Sequence, residues 1–166
     1  MKKIGLFDYI LSSLIILSGI GIDQLTKFLA VKFLAPIDTC PLISGVLHLT
    51  YVENRGAAFG MLADQRWIFI VISAVAIVLF GALLFSGKLP NRLYTVAAAM
   101  IVSGGIGNMI DRLALGYVVD FIDFRLINFA VFNGADSFVC VGAGILILAL
   151  ILDIIDEKKK KQDKTP

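Results

Sequence analysis

An uncharged apolar run from Trp67 to Phe85 constrains the fold of this chain more than any other feature. A helix of about 20 apolar residues spans the ~30 Å hydrocarbon core of a bilayer. Trp67, at the start of the run, is a residue type that favours the membrane interface. Because 58% of all residues are hydrophobic, against about 45–50% in soluble domains, we predict an integral membrane protein.

Three further segments are apolar enough to span the membrane. The first could also be a signal peptide, but no small-residue cleavage site closes it and Asp23-Gln24 follows directly. We therefore predict an all-α membrane protein, a single membrane domain over residues 1–166, with four transmembrane helices. Their approximate ranges are 9–33, 67–85, 93–110 and 137–155, and the charged tail, 156–166, is expected to be disordered.

Lysine and arginine are unevenly distributed along the chain. The two ends and the turn from Lys88 to Arg92 carry nine of them, whereas residues 23–66 and 111–136 carry six. Cytoplasmic segments are enriched in Lys and Arg, so we predict that both termini lie in the cytoplasm. The larger loops, 37–66 and 111–136, then face outward.

The first outer loop combines a strand pattern with a short apolar run. Leu47 to Val52 is rich in β-favouring residues that alternate with polar ones. Glu53 to Gly56 indicates a turn, and the apolar run from Ala57 to Leu62 is expected to lie along the membrane surface. We therefore predict a small extracytoplasmic β element and a short surface helix.

Two aspartates, Asp120 and Asp136, lie at the edges of the second outer loop, sixteen residues apart. Two carboxylates close together cannot both ionise easily, and a pair that shares one proton can activate water and polarise a carbonyl, as in aspartic proteolysis. The spacing leaves a structural alternative open, in which Asp136 caps the fourth helix and Asp120 pairs with Arg125.

Other polar residues are spaced at helical intervals. Gly104, Asn108 and Arg112 lie four apart on one helix face, and Asp23 and Lys27 are placed to form an i,i+4 ion pair. The only histidine lacks the partners that a catalytic triad or a zinc site needs. A net charge of +2 gives no reason to expect nucleic acid binding.

Five short motifs follow one another along the chain: Asp23 to Lys27 (DQLTK), Asn54 to Phe59 (NRGAAF), Gly104 to Arg112 (GGIGNMIDR), Val118 to Phe121 (VVDF) and Phe132 to Ser137 (FNGADS). In this order, and with four spans, they resemble the lipoprotein signal peptidases (signal peptidase II), the bacterial intramembrane aspartic peptidases.

The resemblance implies a role for each motif residue. Asp120 and Asp136 would be the catalytic pair. Other residues would line the substrate cleft or support the pair: Asn54, Asn108, Arg112 and Asn133. A third group falls on motif positions that are architectural: Asp23, Lys27, Gly56, Gly104, Asp111 and Ala135.

The resemblance also implies a substrate and a location. The substrate would be a prolipoprotein whose cysteine carries diacylglycerol, cut on the amino side of that cysteine. We expect no metal, no cofactor and no nucleic acid, only membrane lipids as further partners, and a monomer. The enzyme would lie in the bacterial cytoplasmic membrane with its active site at the outer face.

A small proton-coupled transporter or channel subunit is the alternative from another class, since acids within a membrane also serve as proton relays. A relay would place acids near mid-span. The second, third and fourth spans have none in their central turns. A structural membrane protein, whose charged outer loops need no chemistry, is a third possibility.

Overall fold

The computed structural model describes residues 5–56, 61–62 and 65–162 and is mostly helical. Four of its helices are long and apolar enough to cross a membrane, as the sequence predicts. The first continues beyond Leu29 as a π-helical segment (Ala30–Leu34) and then a 3₁₀ turn (Ala35–Ile37) that contains Pro36. The helices are α1 (Leu6–Leu29), α2 (Arg66–Phe85), α3 (Arg92–Ala114) and α4 (Gly134–Gln162).

Helix α3 forms the centre of the bundle and packs against the other three helices. Its small residues allow this, because a side chain of any size at Gly104 would overlap the carbonyl oxygen of Ala135 on α4. About two turns further along α4, a Cβ at Gly142 would lie 2.9 Å from the carbonyl oxygen of Ala97 on α3. Close backbone approach through small residues is typical of helix packing in membranes.

The outward faces of α1, α2 and α4 expose large apolar side chains along their length. Leu17 on α1, Val78 on α2 and Ile147 on α4 are all more than half exposed. A surface this apolar is unsuited to water but suits contact with lipid chains.

A small antiparallel sheet lies beside the helix ends, in the order β1 (Thr39–Ile43), β2 (Leu47–Asn54) and β3 (Val118–Phe124). The strand predicted from Leu47 is confirmed, and it continues through Asn54. Strand β3 was not expected from the sequence, in which Asp120 was predicted to lie at the edge of a loop. In the structure Asp120 lies opposite Val52 in the β2–β3 ladder, next to an irregularity of register between Leu49 and Val52.

The chain differs from expectation in its charged tail, and the expected surface helix is described only in part. The tail 156–166 was expected to be disordered, but α4 continues to Gln162, so the expectation is wrong for 156–162; residues 163–166 lie outside the described residues. Asp156 and Glu157 precede Lys160 and Lys161 by four residues, an arrangement that stabilises a helix. Residues 57–60 of the expected surface helix lie outside the described residues, and Met61 and Leu62 form a turn.

Candidate active site

Asp120 is carried by β3 and is almost fully buried, with 1% of its surface exposed. One carboxylate oxygen, Oδ1, accepts a hydrogen bond from Asn133 Nδ2 at 2.6 Å, and Oδ2 accepts one from Asn54 Nδ2 at 2.7 Å. Arg125 bonds to Asp123 at 2.9 Å. The structural alternative of an Asp120–Arg125 pair is therefore wrong.

Asp136 lies in the first turn of α4. Its Oδ1 accepts a hydrogen bond from Asn108 Nδ2 at 2.7 Å, and its Oδ2 accepts one from the backbone N–H of Asn133 at 3.2 Å. In return, Asn133 Oδ1 accepts the backbone N–H of Asp136 at 2.9 Å. This reciprocal arrangement is a capping box, in which Asn133 and not Asp136 is the N-cap.

Asn133 therefore bonds to both aspartates, through its side-chain amide to Asp120 and through its backbone to Asp136. Burial, and then the negative charge of Asp136, raise the pKa of Asp120 to about 7, although the hydrogen bonds from Asn54 and Asn133 act in the opposite direction. A carboxyl group with a pKa near neutrality can take up and release a proton under physiological conditions, which is what acid–base catalysis requires.

Arg112 lies in the last turn of α3 and is partly buried. Its guanidinium donates to the carbonyl oxygen of Gly56 at 3.4 Å and lies 5.0 Å from the centre of the Phe69 ring. Within the described part of the chain it forms no ion pair, yet its charge interacts with both Asp136 and Asp120. Its positive charge therefore acts on the two aspartates although it forms no ion pair with either of them in the described residues.

A buried ion cluster lies behind the two aspartates. Lys27 Nζ is 2.9 Å from Asp23 Oδ2 and 3.0 Å from Asp111 Oδ2, which confirms the i,i+4 pair expected from the sequence. Asp23 accepts the backbone N–H of Ala135 at 2.8 Å, and Asp111 accepts that of Val119 at 3.1 Å. The cluster therefore holds the residues next to Asp136 and Asp120 in place.

The structure brings every residue singled out from the sequence into one network. Gly104 contacts the backbone of Ala135, and Gly56 contacts Arg112. No group of three His, Cys, Asp or Glu among the described residues could hold a metal ion.

The family model of signal peptidase II matches residues 15–152 of the chain. The chain belongs to the signal peptidase II family. Two relatives named lipoprotein signal peptidase, from Caldanaerobacter subterraneus subsp. tengcongensis and Clostridioides difficile, are 58% and 46% identical over 127 and 138 residues. The alignments cover 75% and 83% of this chain, and 85% and 93% of the relatives. A solved structure described as a bacterial membrane enzyme is 31% identical, with a TM-score of 0.79 over 92% of this chain and 93% of that one.

Family membership decides between the classes of protein that the sequence left open. A signal peptidase II is a membrane peptidase that processes lipoproteins, so this chain is an enzyme, and the transporter alternative is not supported. The resemblance noted in the sequence is confirmed.

One polar member of the network, Gln24, was not expected from the sequence. Gln24 Nε2 donates to Asp111 Oδ1 at 3.0 Å and to the carbonyl oxygen of Gly107 at 3.2 Å, and so joins α1 to α3. Its signal was its place beside Asp23 and three residues before Lys27, in a helix whose other residues are mostly apolar. A half-buried amide there needs hydrogen-bond partners, which the neighbouring helix supplies.

Proposed function

We propose that Asp120 and Asp136 are the catalytic pair of this signal peptidase and share one proton between them. The observation that carries the proposal is the double contact of Asn133, which donates to Asp120 through its side chain and to Asp136 through its backbone. Asn54 and Asn108 donate to the remaining oxygens. Each carboxylate is thus held in a fixed orientation by amide groups.

In the proposed reaction the ionised aspartate removes a proton from water as the water oxygen attacks the carbonyl carbon of the scissile peptide bond. The protonated aspartate donates its proton to the carbonyl oxygen. The tetrahedral intermediate collapses, the C–N bond breaks, and the leaving nitrogen receives a proton from the pair. Neither a metal ion nor a covalent enzyme intermediate is needed.

The proposed substrate is a prolipoprotein whose cysteine carries diacylglycerol, cut on the amino side of that cysteine. The family and the names of its relatives support this choice. So does the apolar outer surface, because a lipid-bearing substrate is confined to the bilayer. Arg112, whose charge faces the pair without an ion pair in the described residues, would donate hydrogen bonds to the peptide near the scissile bond.

We further propose that the whole chain is one membrane domain, that it acts as a monomer among membrane lipids, and that the site opens at the outer face of the bacterial cytoplasmic membrane. The orientation is supported by the nine Lys and Arg residues at the ends and middle turn, against six elsewhere.

Cleavage of a synthetic peptide that contains the diacylglyceryl-cysteine of the proposed substrate (the diacylated peptide) tests the proposal. Asp120→Asn and Asp136→Asn should each lower the rate by at least about 10³-fold, and the double variant should lose little more, because residues that act as a unit are not additive. Asp123→Asn, in the same strand as Asp120, is the matched control and should be mild. Substantial activity in either single variant would remove that residue from the mechanism.

A further inference from the structure

We propose that Lys27 is a positioning residue for the aspartate pair. Its ammonium group fixes the side-chain amide of Asn108, and through it that of Asn133, in the orientation in which both amides donate to the aspartates. The proposal rests on the catalytic role proposed above for Asp120 and Asp136. Lys27 itself touches neither of them within ion-pair distance in the described residues.

The ammonium group of Lys27 has three N–H donors and no acceptor. Three acceptors surround it, namely Asp23 Oδ2 at 2.9 Å, Asp111 Oδ2 at 3.0 Å and Asn108 Oδ1 at 2.9 Å. The residue is 3% exposed, so water does not compete for these donors. The atom of Asn108 that faces the ammonium must therefore be its oxygen.

This contact settles which end of the Asn108 amide faces Asp136. Asn108 Oδ1 accepts a second hydrogen bond from Asn133 Nδ2 at 3.0 Å. A flipped amide would direct its NH₂ group at both the ammonium and the Asn133 amide, two contacts between donors. Nδ2 of Asn108 is consequently directed at Asp136 Oδ1, 2.7 Å away.

Asn133 continues the same chain of contacts. Its Nδ2 donates to Asn108 Oδ1 and to Asp120 Oδ1, at 3.0 and 2.6 Å, while its Oδ1 accepts the N–H of Asp136. A turned Asn133 amide would lose its donor to Asp120 and oppose the N–H of Asp136. The one oxygen of Asn108 is therefore the point from which Lys27 controls the donors at both carboxylates.

A double-mutant cycle distinguishes this role from a purely structural one, in which Lys27 only neutralises Asp23 and Asp111. With a purely structural role, the losses from Lys27→Met and Asn108→Ala should multiply. If Lys27 acts through Asn108, Lys27→Met should lower kcat on the diacylated peptide by about 10²-fold, a loss of the size seen when one oriented donor is removed. KM should change little. In an Asn108→Ala background the same change should cost less than about threefold, because the amide it orients is gone.

The pH profile is a second readout. The charge of Lys27 favours the ionised form of Asp120, so its removal should move the acidic limb of the activity profile to higher pH. Tyr94→Phe is the matched control. It removes the 2.6 Å hydrogen bond that the Tyr94 hydroxyl donates to Asp153, at the other end of α3. It should leave kcat and the pH profile unchanged.

Lys27→Met leaves two buried carboxylates without their cation, so the protein could fail to fold. In that case the double variant Lys27→Met/Asp111→Asn is compared with the single variant Asp111→Asn. The double variant should have a kcat lower by about 10²-fold, the loss expected for Lys27→Met in the native background. Unchanged kcat, or losses that multiply in the Asn108→Ala background, would overturn the proposal. Asp120→Asn in the same assay separates the two hypotheses: if it is inactive while Lys27→Met is active, only the role of Lys27 fails.

Discussion

Replacing Asp120 by Asn should stabilise the folded protein at pH 8 while it removes the activity. The reason is that Asp120 is buried at 1% exposure beside Asp136, an environment that opposes its negative charge. An amide of the same size carries no charge and avoids this cost. Residues that an active site needs are often unfavourable for the stability of the fold.

The magnitude follows from the pKa of Asp120, which rises from 3.8 to about 7 on folding. Each unit corresponds to about 1.4 kcal/mol, so the ionised group costs about 4 kcal/mol. Because the folded state holds the proton more tightly, this cost is absent below about pH 4, grows as the pH rises to about 7, and is constant above it.

The Asn side chain has a disadvantage of its own. Asp120 accepts from two amide NH₂ groups, those of Asn133 and Asn54, and an Asn there offers one oxygen and one NH₂. One of the two hydrogen bonds is lost, at about 1–2 kcal/mol. Asp120→Asn should therefore be less stable than the native protein near pH 4 and more stable, by about 2 kcal/mol, at pH 8.

Thermal unfolding of the native protein and of Asp120→Asn in the same detergent, from pH 4 to pH 8, tests whether the order of their stabilities reverses with pH. Asp123→Asn is the control, because its effect on stability should have the opposite dependence on pH. Burial tends to raise the pKa of Asp123, but the hydrogen bonds from Thr50 and Arg125 outweigh it and hold the pKa below its usual value. Its removal should destabilise above about pH 4. A melting-temperature difference for Asp120→Asn that stays constant with pH would refute the reasoning.

Three further predictions can be checked with simple variants. Asn54→Ala should slow peptide cleavage while the helices stay folded, because it removes a donor to Asp120 and one turn contact, at a cost of about 1–2 kcal/mol of stability for the lost hydrogen bond; unchanged turnover at limiting substrate would make Asn54 a turn residue only. Gly104→Ala should cost about 1–3 kcal/mol of stability because its Cβ overlaps the Ala135 carbonyl, whereas Gly144→Ala, which meets open space, should not; equal melting temperatures would contradict this packing. A cysteine at Lys160, with Cys40 and Cys140 removed, should resist labelling from outside intact cells, and labelling there would reverse the proposed topology.

The helices could be predicted because their signal is local. The run from Trp67 to Phe85 coincides with α2 to within one residue, since its length and composition alone decide that it is a helix in a membrane. β3 could not, although its sequence is rich in β-favouring residues. A segment of seven residues becomes a strand only when a partner lies alongside, and the partner, β2, is distant in sequence.

The site shows the same division between local and distant information. The sequence allowed Asp136 to be a helix cap, since Asn and Asp serve about equally well at that position. In the structure the cap is Asn133, whose side-chain oxygen accepts the N–H of Asp136, while its side-chain NH₂ group donates to Asn108 on α3 and to Asp120 on β3. Neither neighbour is evident from the fourth helix alone, so the double role of Asn133 required the structure.

The arrangement of charges explains why amides, and not cations, contact the two carboxylates. A Lys or Arg within about 4 Å would hold its aspartate ionised, because an opposite charge at that distance lowers a carboxyl pKa by about 1–3 units. A pair held fully ionised could not share a proton. Among the described residues Lys27 instead reaches the pair through the neutral amide of Asn108, so that its ammonium group stays beyond ion-pair distance of both carboxylates. In the proposed mechanism the buried cation thus makes the site rigid and still leaves the shared proton mobile.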